Sequence, residues 1–211
     1  LSAAPGGVSL VLVTTSLAGS AGAIGAMVAS WAFIRKPDLS MVLNGVLGGL
    51  VGITAGADQM NANEAILIGA IAGVIVVGAV IALDRLRLDD PVGAIAVHLV
   101  CGVWGTLAVG LFGTRAGLEQ LGVQAVGITA VGGFSFLGAS ALFLALRATV
   151  GIRVSAREEL SGLDIEEHGY LAYPYFQEAD ALGGVESMPI GAPVVLTHDP
   201  GGPDPIRGGA A

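Results

Sequence analysis

The sequence predicts an all-α protein, a polytopic membrane helix bundle with five transmembrane helices. Three observations carry that prediction. Charged residues make up 12% of the chain, where soluble domains carry about 25%. Mean hydropathy is +0.79. The uncharged residues gather into five runs, 8–34, 39–57, 65–83, 91–114 and 120–146, each 19 to 27 residues long. A helix crossing about 30 Å of hydrocarbon needs about 20 apolar residues, and longer ones tilt. None of the runs alternates with the period of two that a barrel strand requires. Helices are therefore expected at about 8–34, 39–57, 65–83, 91–114 and 120–147, with a transmembrane domain over 1–150.

The first run carries Thr14, Thr15, Ser16 and Ser20. Hydroxyls inside an apolar helix bond back to their own turn or to a neighbouring helix. The second holds two interleaved G-x-x-x-G pairs, Gly45 with Gly49 and Gly48 with Gly52, and the third holds Gly69 with Gly73. Small residues at this spacing let helix backbones approach closely where lipid gives little hydrophobic reason to associate. The fourth opens on Asp89, Asp90 and Pro91. Asp is a favoured N-cap and Pro a favoured first helical residue, so these three read as a structural helix start. Trp31 and Trp104 fit interfacial or packing roles.

His98 breaks the uncharged character of the fourth run. An ionisable residue inside a span is rare, costly and by default functional. Counted from Asp90 it lies about 12 Å along the helix, in the middle third of a bilayer. Ala94, His98, Gly102, Gly105 and Val109 follow the spacing of one helical stripe, so small residues flank the imidazole. Spacing alone fits a pathway role and a histidine bonded between helices equally well. A neutral imidazole offers one donor and one acceptor and can relay a proton. That suits a small polar or proton-exchanging solute.

Loop charge sets an expected orientation. Arg35, Lys36, Arg85, Arg87, Arg147, Arg153 and Arg157 fall on one side, and Arg115 on the other. The N-terminus is expected outside and the C-terminus in the cytoplasm. Beyond Ser155 the composition changes. Residues 151–176 read as a cytoplasmic tail able to order, and 177–211, rich in Gly and Pro, as disordered. His198 falls in that last stretch and reads as solvated. Ten of the 17 acidic residues lie between Glu158 and Asp204, and no basic patch accompanies them, which excludes nucleic acid as a partner. A single cysteine, Cys101, leaves no intrachain disulfide and no C-x-x-C site. The first residue is Leu, with no basic leader, and reads as a position inside a longer protein.

Three motifs make the chain recognisable. DDPVGAIAVHLVCGVWGTLAVGLF, IRKPDLSMVLNGVLGGLVGITAGA and SGLDIEEHGYLAY stand in an order and spacing that resembles the C-terminal half of the ammonium transporter family (Amt/Mep/Rh), over roughly residues 10–176. The resemblance implies a trimeric plasma-membrane protein of eleven helices, with a pore in each subunit. The five helices here would be the last five of that fold. It implies transport of ammonium or ammonia through an apolar pore, with His98 as the second of two facing histidines. Neutral ammonia crosses hydrocarbon far more cheaply than a cation. Ala94 and Thr54 would line the pathway. Gly162, Leu163, Asp164, His168 and Gly169 would form a regulatory tail, open to a P-II type protein of nitrogen metabolism. No cofactor, metal or enzymatic activity is expected: Asp90 and His98 lie too far apart to share a proton, and no nucleophile motif accompanies them. The sequence departs from the family pattern at Thr14, Ala55, Gly93, Leu99 and Tyr170. An alternative within the family is an ammonium sensor acting through its tail.

Overall fold

The computed structural model describes residues 5–170, and among them the regular structure is all helical, with no strand. The elements are α1 (Pro5–Ile34), α2 (Leu39–Thr54), α3 (Ala62–Leu86), a π-helical segment (Ile95–Val100) continuing into α4 (Cys101–Leu111), α5 (Leu118–Thr149), α6 (Ala156–Ser161) and a second π-helical turn (Asp164–His168). The chain divides into two compact units, Leu1–Leu142 and Phe143–Ala211.

Among the described residues three helices are long and apolar enough to cross a membrane: Gly6–Ile34, Ala62–Leu86 and Leu118–Thr149. The second and fourth runs form shorter apolar helices, Leu39–Thr54 and Ile95–Leu111. Each has a local cause. Past Thr54 the backbone tightens, with the Gly56 N–H donating to the Ile53 carbonyl (3.0 Å) and the Met60 N–H to the Gly56 carbonyl (3.1 Å). The fourth run does not start its helix at Pro91, which lies in a turn. That turn passes through Gly93 at φ +77°, a left-handed conformation costly for any residue with a Cβ.

Side chains cap the starts of α2 and α3. Asp38 caps α2 by accepting the Met41 N–H. Asn61 and Glu64 make a reciprocal capping box at the start of α3. Glu64 does more, because its other carboxylate oxygen accepts the Gly113 N–H at 3.2 Å, tying the chain beyond α4 to the start of α3. Arg35 and Arg87 both adopt positive φ where α1 and α3 end.

Glycine decides how the first three helices meet. A Cβ on Gly49 or Gly69 would strike the Ala18 carbonyl of α1, and a Cβ on Gly45 or Gly73 would strike the Gly22 carbonyl. One short stretch of α1 thus receives the G-x-x-x-G pairs of both neighbours. The order of these contacts along the helices makes α2 antiparallel to α1, and α3 parallel to it. The basic ends of α1 (Arg35, Lys36) and α3 (Arg85, Arg87) accordingly lie at the same end. The other pair, Gly48 and Gly52, faces away from α1. It admits Ala72 of α3 together with Cys101 and Trp104 of the fourth run.

Two apolar clusters stack along these helices. Ala18, Ile53, Met60, Ile68 and Val109 anchor one, and Ala26, Ala72, Val76, Val97 and Cys101 the other. Trp104 packs against both.

Candidate functional site

Asp90, the turn after it and His98 form the most organised polar feature along the fourth run. Asp90 is half-buried and uses both carboxylate oxygens on backbone further along: Oδ1 accepts the Ile95 N–H at 3.0 Å and Oδ2 accepts the Ala96 N–H at 3.1 Å. An ordinary N-cap side chain reaches two or three residues ahead, whereas this one reaches five and six. The reach is possible because residues 91–93 fold into a tight turn, closed by the Gly93 N–H on the Asp90 carbonyl at 3.1 Å. Asn44 of α2 fills the space where a Gly93 side chain would stand. Asp89 is exposed.

From this clamp the chain enters a π-helix, Ile95–Val100, whose hallmark bond runs from the Cys101 N–H to the Ala96 carbonyl. A π-turn carries one residue more than an α-turn, is rare, and occurs most often at functional sites. His98 lies in the middle of it. Its side chain is exposed on the surface of residues 5–170, as is Ala94.

The π-turn also corrects the expected stripe. Ala94, His98, Gly102, Gly105 and Val109 share a face only if the helix is α throughout. Here Gly105 is buried against the Gly52 backbone, and Val109 is buried in the first apolar cluster. The extra residue turns the chain by about 100°, which separates His98 from Gly105 and Val109. Gly105 thus does not stand above the imidazole on its own face. It seats α4 against α2 instead.

Trp104 completes that seating. Its Nε1 donates to the Ile68 carbonyl of α3 at 3.1 Å, and its ring meets Phe112 edge-on at 6.4 Å and 75°.

Thr54 stands elsewhere. Its hydroxyl donates back to the Leu50 carbonyl at 2.7 Å. Its side chain lines a cavity of about 320 Å³ with Val11, Thr15, Ala55, Ala57 and Asp58. Neither His98 nor Ala94 lines that cavity. Nearby, the buried Thr14 hydroxyl donates to the Ala57 carbonyl at 2.8 Å and joins α1 to the end of α2. Ser16 and Ser20 bond back to their own helix.

In the second unit, the tail residues singled out from the sequence fall around the second π-helical turn. Gly162 (φ +87°) and Gly169 (φ +73°) flank it in left-handed conformations. Asp164 and His168 lie within it, and the His168 ring is 6.4 Å from that of Tyr170. Residues 171–176 of the expected tail, and all of 177–211, lie outside the described residues. Sequence reasoning missed Asn44 and the long reach of Asp90. Asn44 stands in an N-G pair of the second motif, but nothing in the motif says which turn it fills. Among the described residues no cluster of His, Cys, Asp and Glu could hold a metal.

Known proteins match this arrangement over most of its length. Residues 1–173 match the profile of the Ammonium Transporter Family. The chain is 44% identical over 162 residues to a protein of Synechocystis sp., covering 76% of this chain and 36% of that one. With Ammonium transporter Amt2 of Archaeoglobus fulgidus it shares 39% identity over 186 residues, 80% of this chain and 40% of Amt2. Among solved structures, one described as a Sensor Amt Protein superposes with a TM-score of 0.74 at 32% identity, covering 80% of this chain and 43% of that protein. Mep2 of Candida albicans superposes with a TM-score of 0.67 at 27% identity, over 72% and 38%. The chain thus spans about two fifths of the length of the relatives it matches.

Proposed function

The chain belongs to the ammonium transporter family, and from that membership we propose that it supplies the C-terminal, pore-lining part of a protein that moves ammonium or ammonia across the plasma membrane. The observation that carries the proposal is the position of His98. An ionisable side chain in an otherwise uncharged run is not absorbed into the core of residues 5–170, but is held on their surface within a π-turn. A residue so costly to place in a membrane faces a pathway or a partner, and the relatives are named for ammonium transport.

A neutral imidazole there accepts a hydrogen bond from ammonia or donates one to it, and can pass on a proton. The apolar walls around it exclude the bare cation, whose desolvation is costly. Ala94 keeps the wall beside it small. Thr54 stands at the end of α2, by the cavity that holds Thr15 and Asp58, and would meet the solute at a different depth. The basic ends of α1 and α3 are placed in the cytoplasm. Assembly is as a homotrimer, and the tail around Gly162, Leu163, Asp164, His168 and Gly169 is offered to a P-II type regulator. Both oxygens of Asp90 are engaged on backbone N–H groups, which leaves that carboxylate poorly suited to acid–base catalysis with His98.

A second reading is supported by the likeness to the Sensor Amt Protein: ammonium is bound and reported through the tail instead of being passed on. One assay separates the two. Radiolabelled methylammonium uptake, measured per copy of the full-length protein, is expected to be robust and to be abolished or to lose ammonium selectivity in His98→Ala. Unchanged uptake in that variant removes His98 from the pathway. Absent uptake in the native protein, with ammonium binding retained, replaces the transporter with the sensor.

A further inference from the structure

Resting on the reading that His98 lines the pathway, we infer that Asp90 is a positioning residue: its clamp on the Ile95 and Ala96 N–H groups sets the π-turn that aims His98 outward. α4 is fixed from its far side. Gly105 is pressed onto the Gly52 backbone, and Trp104 holds the Ile68 carbonyl. With that end held, the number of residues in the turn at 95–100 sets which way His98 faces. An α-turn in their place rotates His98 by about 100° relative to Gly105, onto the packed side that Gly105 and Val109 already occupy.

Asp90 selects against that alternative. The first N–H groups of a helix have no partner within it, and their fixation determines where the bonding ladder begins. Asp90 holds two consecutive ones at 3.0 and 3.1 Å. The Val97 N–H takes the Gly93 carbonyl at 2.8 Å, and the Cys101 N–H takes the Ala96 carbonyl, which places the extra residue between them. His98 is two residues beyond the clamped Ala96. The clamp is itself braced, because Gly93 supplies the left-handed turn and Asn44 packs into the space beside it. Asp90 touches no solute in this arrangement and acts through the helix.

The test is a double-mutant cycle in the full-length protein, with Asp90→Asn, His98→Ala and the pair. Asparagine keeps the shape and one acceptor oxygen but places an NH2 group against a backbone N–H. Two quantities are read: methylammonium uptake per copy in the membrane, and the ratio of methylammonium to potassium flux. Positioning predicts that Asp90→Asn lowers uptake about tenfold and lowers the flux ratio. Added to His98→Ala it changes neither the residual uptake nor, where no uptake remains, the potassium flux any further, since residues acting as one unit are non-additive. The inference is overturned if Asp90→Asn is silent, or if it cuts uptake by the same factor with and without the imidazole, which is how a mere helix cap behaves. The pathway reading fails in a different arm, by a silent His98→Ala. Should Asp90→Asn not accumulate, Asp90→Glu, which keeps both acceptor oxygens on a longer arm, takes its place in the cycle, and the same outcomes support or overturn the inference.

Discussion

Helices α1 and α5 are close in length, and the most apolar 18-residue stretch of each has a similar mean hydropathy, 1.6 against 1.8, yet 39% of that stretch is buried in α1 and none of it in α5. Hydropathy therefore says that a segment belongs in lipid, and says nothing about which neighbour it meets. Glycine spacing separates the two helices. Ala18, Gly22 and Ala26 recur every four residues, as do Gly45 with Gly49 and Gly69 with Gly73, so each set stays within one narrow stripe. In α5 the glycines at 122, 127 and 132 recur every five, which carries each about 140° around the helix from the last. The first pattern makes a groove. The second scatters small residues over all faces, and a Cβ at any of those three meets nothing within 4 Å. Within residues 5–170 the start of α5 abuts α4 where Gly110 meets Leu121, and the glycine positions further along α5 face open space.

Gly69→Val is the strongest attempt to break this contrast. Its Cβ would press on the Ala18 carbonyl and lie 2.6 Å from the Ala18 Cα. Backbone cannot swing aside as a side chain can, so α1 and α3 must separate. A loss of about 3 kcal/mol or more is expected, seen as aggregation or a large fall in the unfolding temperature of the full-length protein in detergent. Gly127→Val, the same change in α5, is expected to stay within about 0.5 kcal/mol. Equal damage from both would show that α5 has a close partner outside residues 5–170, and the contrast would belong to this part of the chain only.

Trp104→Phe probes a smaller effect inside the packed region. Phenylalanine keeps much of the apolar ring but loses the Nε1 donor to the Ile68 carbonyl. The expected cost is about 0.5–1.5 kcal/mol, again read from unfolding temperature. An unchanged temperature would mean that the ring alone joins the two apolar clusters and that the hydrogen bond contributes nothing net.

Much of the packed region is legible in the sequence, for physical reasons that can be named. The five runs and the pairing role of Gly45, Gly49, Gly69 and Gly73 follow from local spacing. The isolation of α5 is also present in the five-residue glycine spacing, although the runs of equal hydropathy obscure it. The π-turn is not. One extra residue between Ala96 and Cys101 leaves no mark in composition. It arises from Asp90, Gly93 and Asn44 meeting across two helices, and residues that meet only in the fold carry no period. For the same reason spacing puts His98 on one stripe with Gly105 and Val109, whereas the fold buries those two and leaves His98 exposed.

The smallest effect lies in the tail, where pH reveals local bonds. Arg153 hydrogen-bonds and pairs with Glu159, at 2.7 Å between Nη2 and Oε1, which holds that carboxyl below its usual range. Hydrogen bonding to Ser155, through its hydroxyl and then its backbone N–H, lowers Glu158 in the same way. A carboxyl depressed in the folded state adds stability that is fully present above its unfolded pKa and is lost as pH falls through the folded one. Between about pH 5 and pH 3, spanning the ordinary carboxylate range, α6 is therefore expected to lose amide protection after correction for intrinsic exchange. Its groups are exposed, so water and salt screen them and the change is small. Over the same interval the α1–α3 interior, made of Ala, Gly, Val and Ile with nothing to titrate, holds its protection. Parallel loss in both regions would mean that acid acts on the whole fold, whereas loss in α6 confined to the protein with Glu159 intact, and absent in Glu159→Gln, assigns it to the one bond to Arg153.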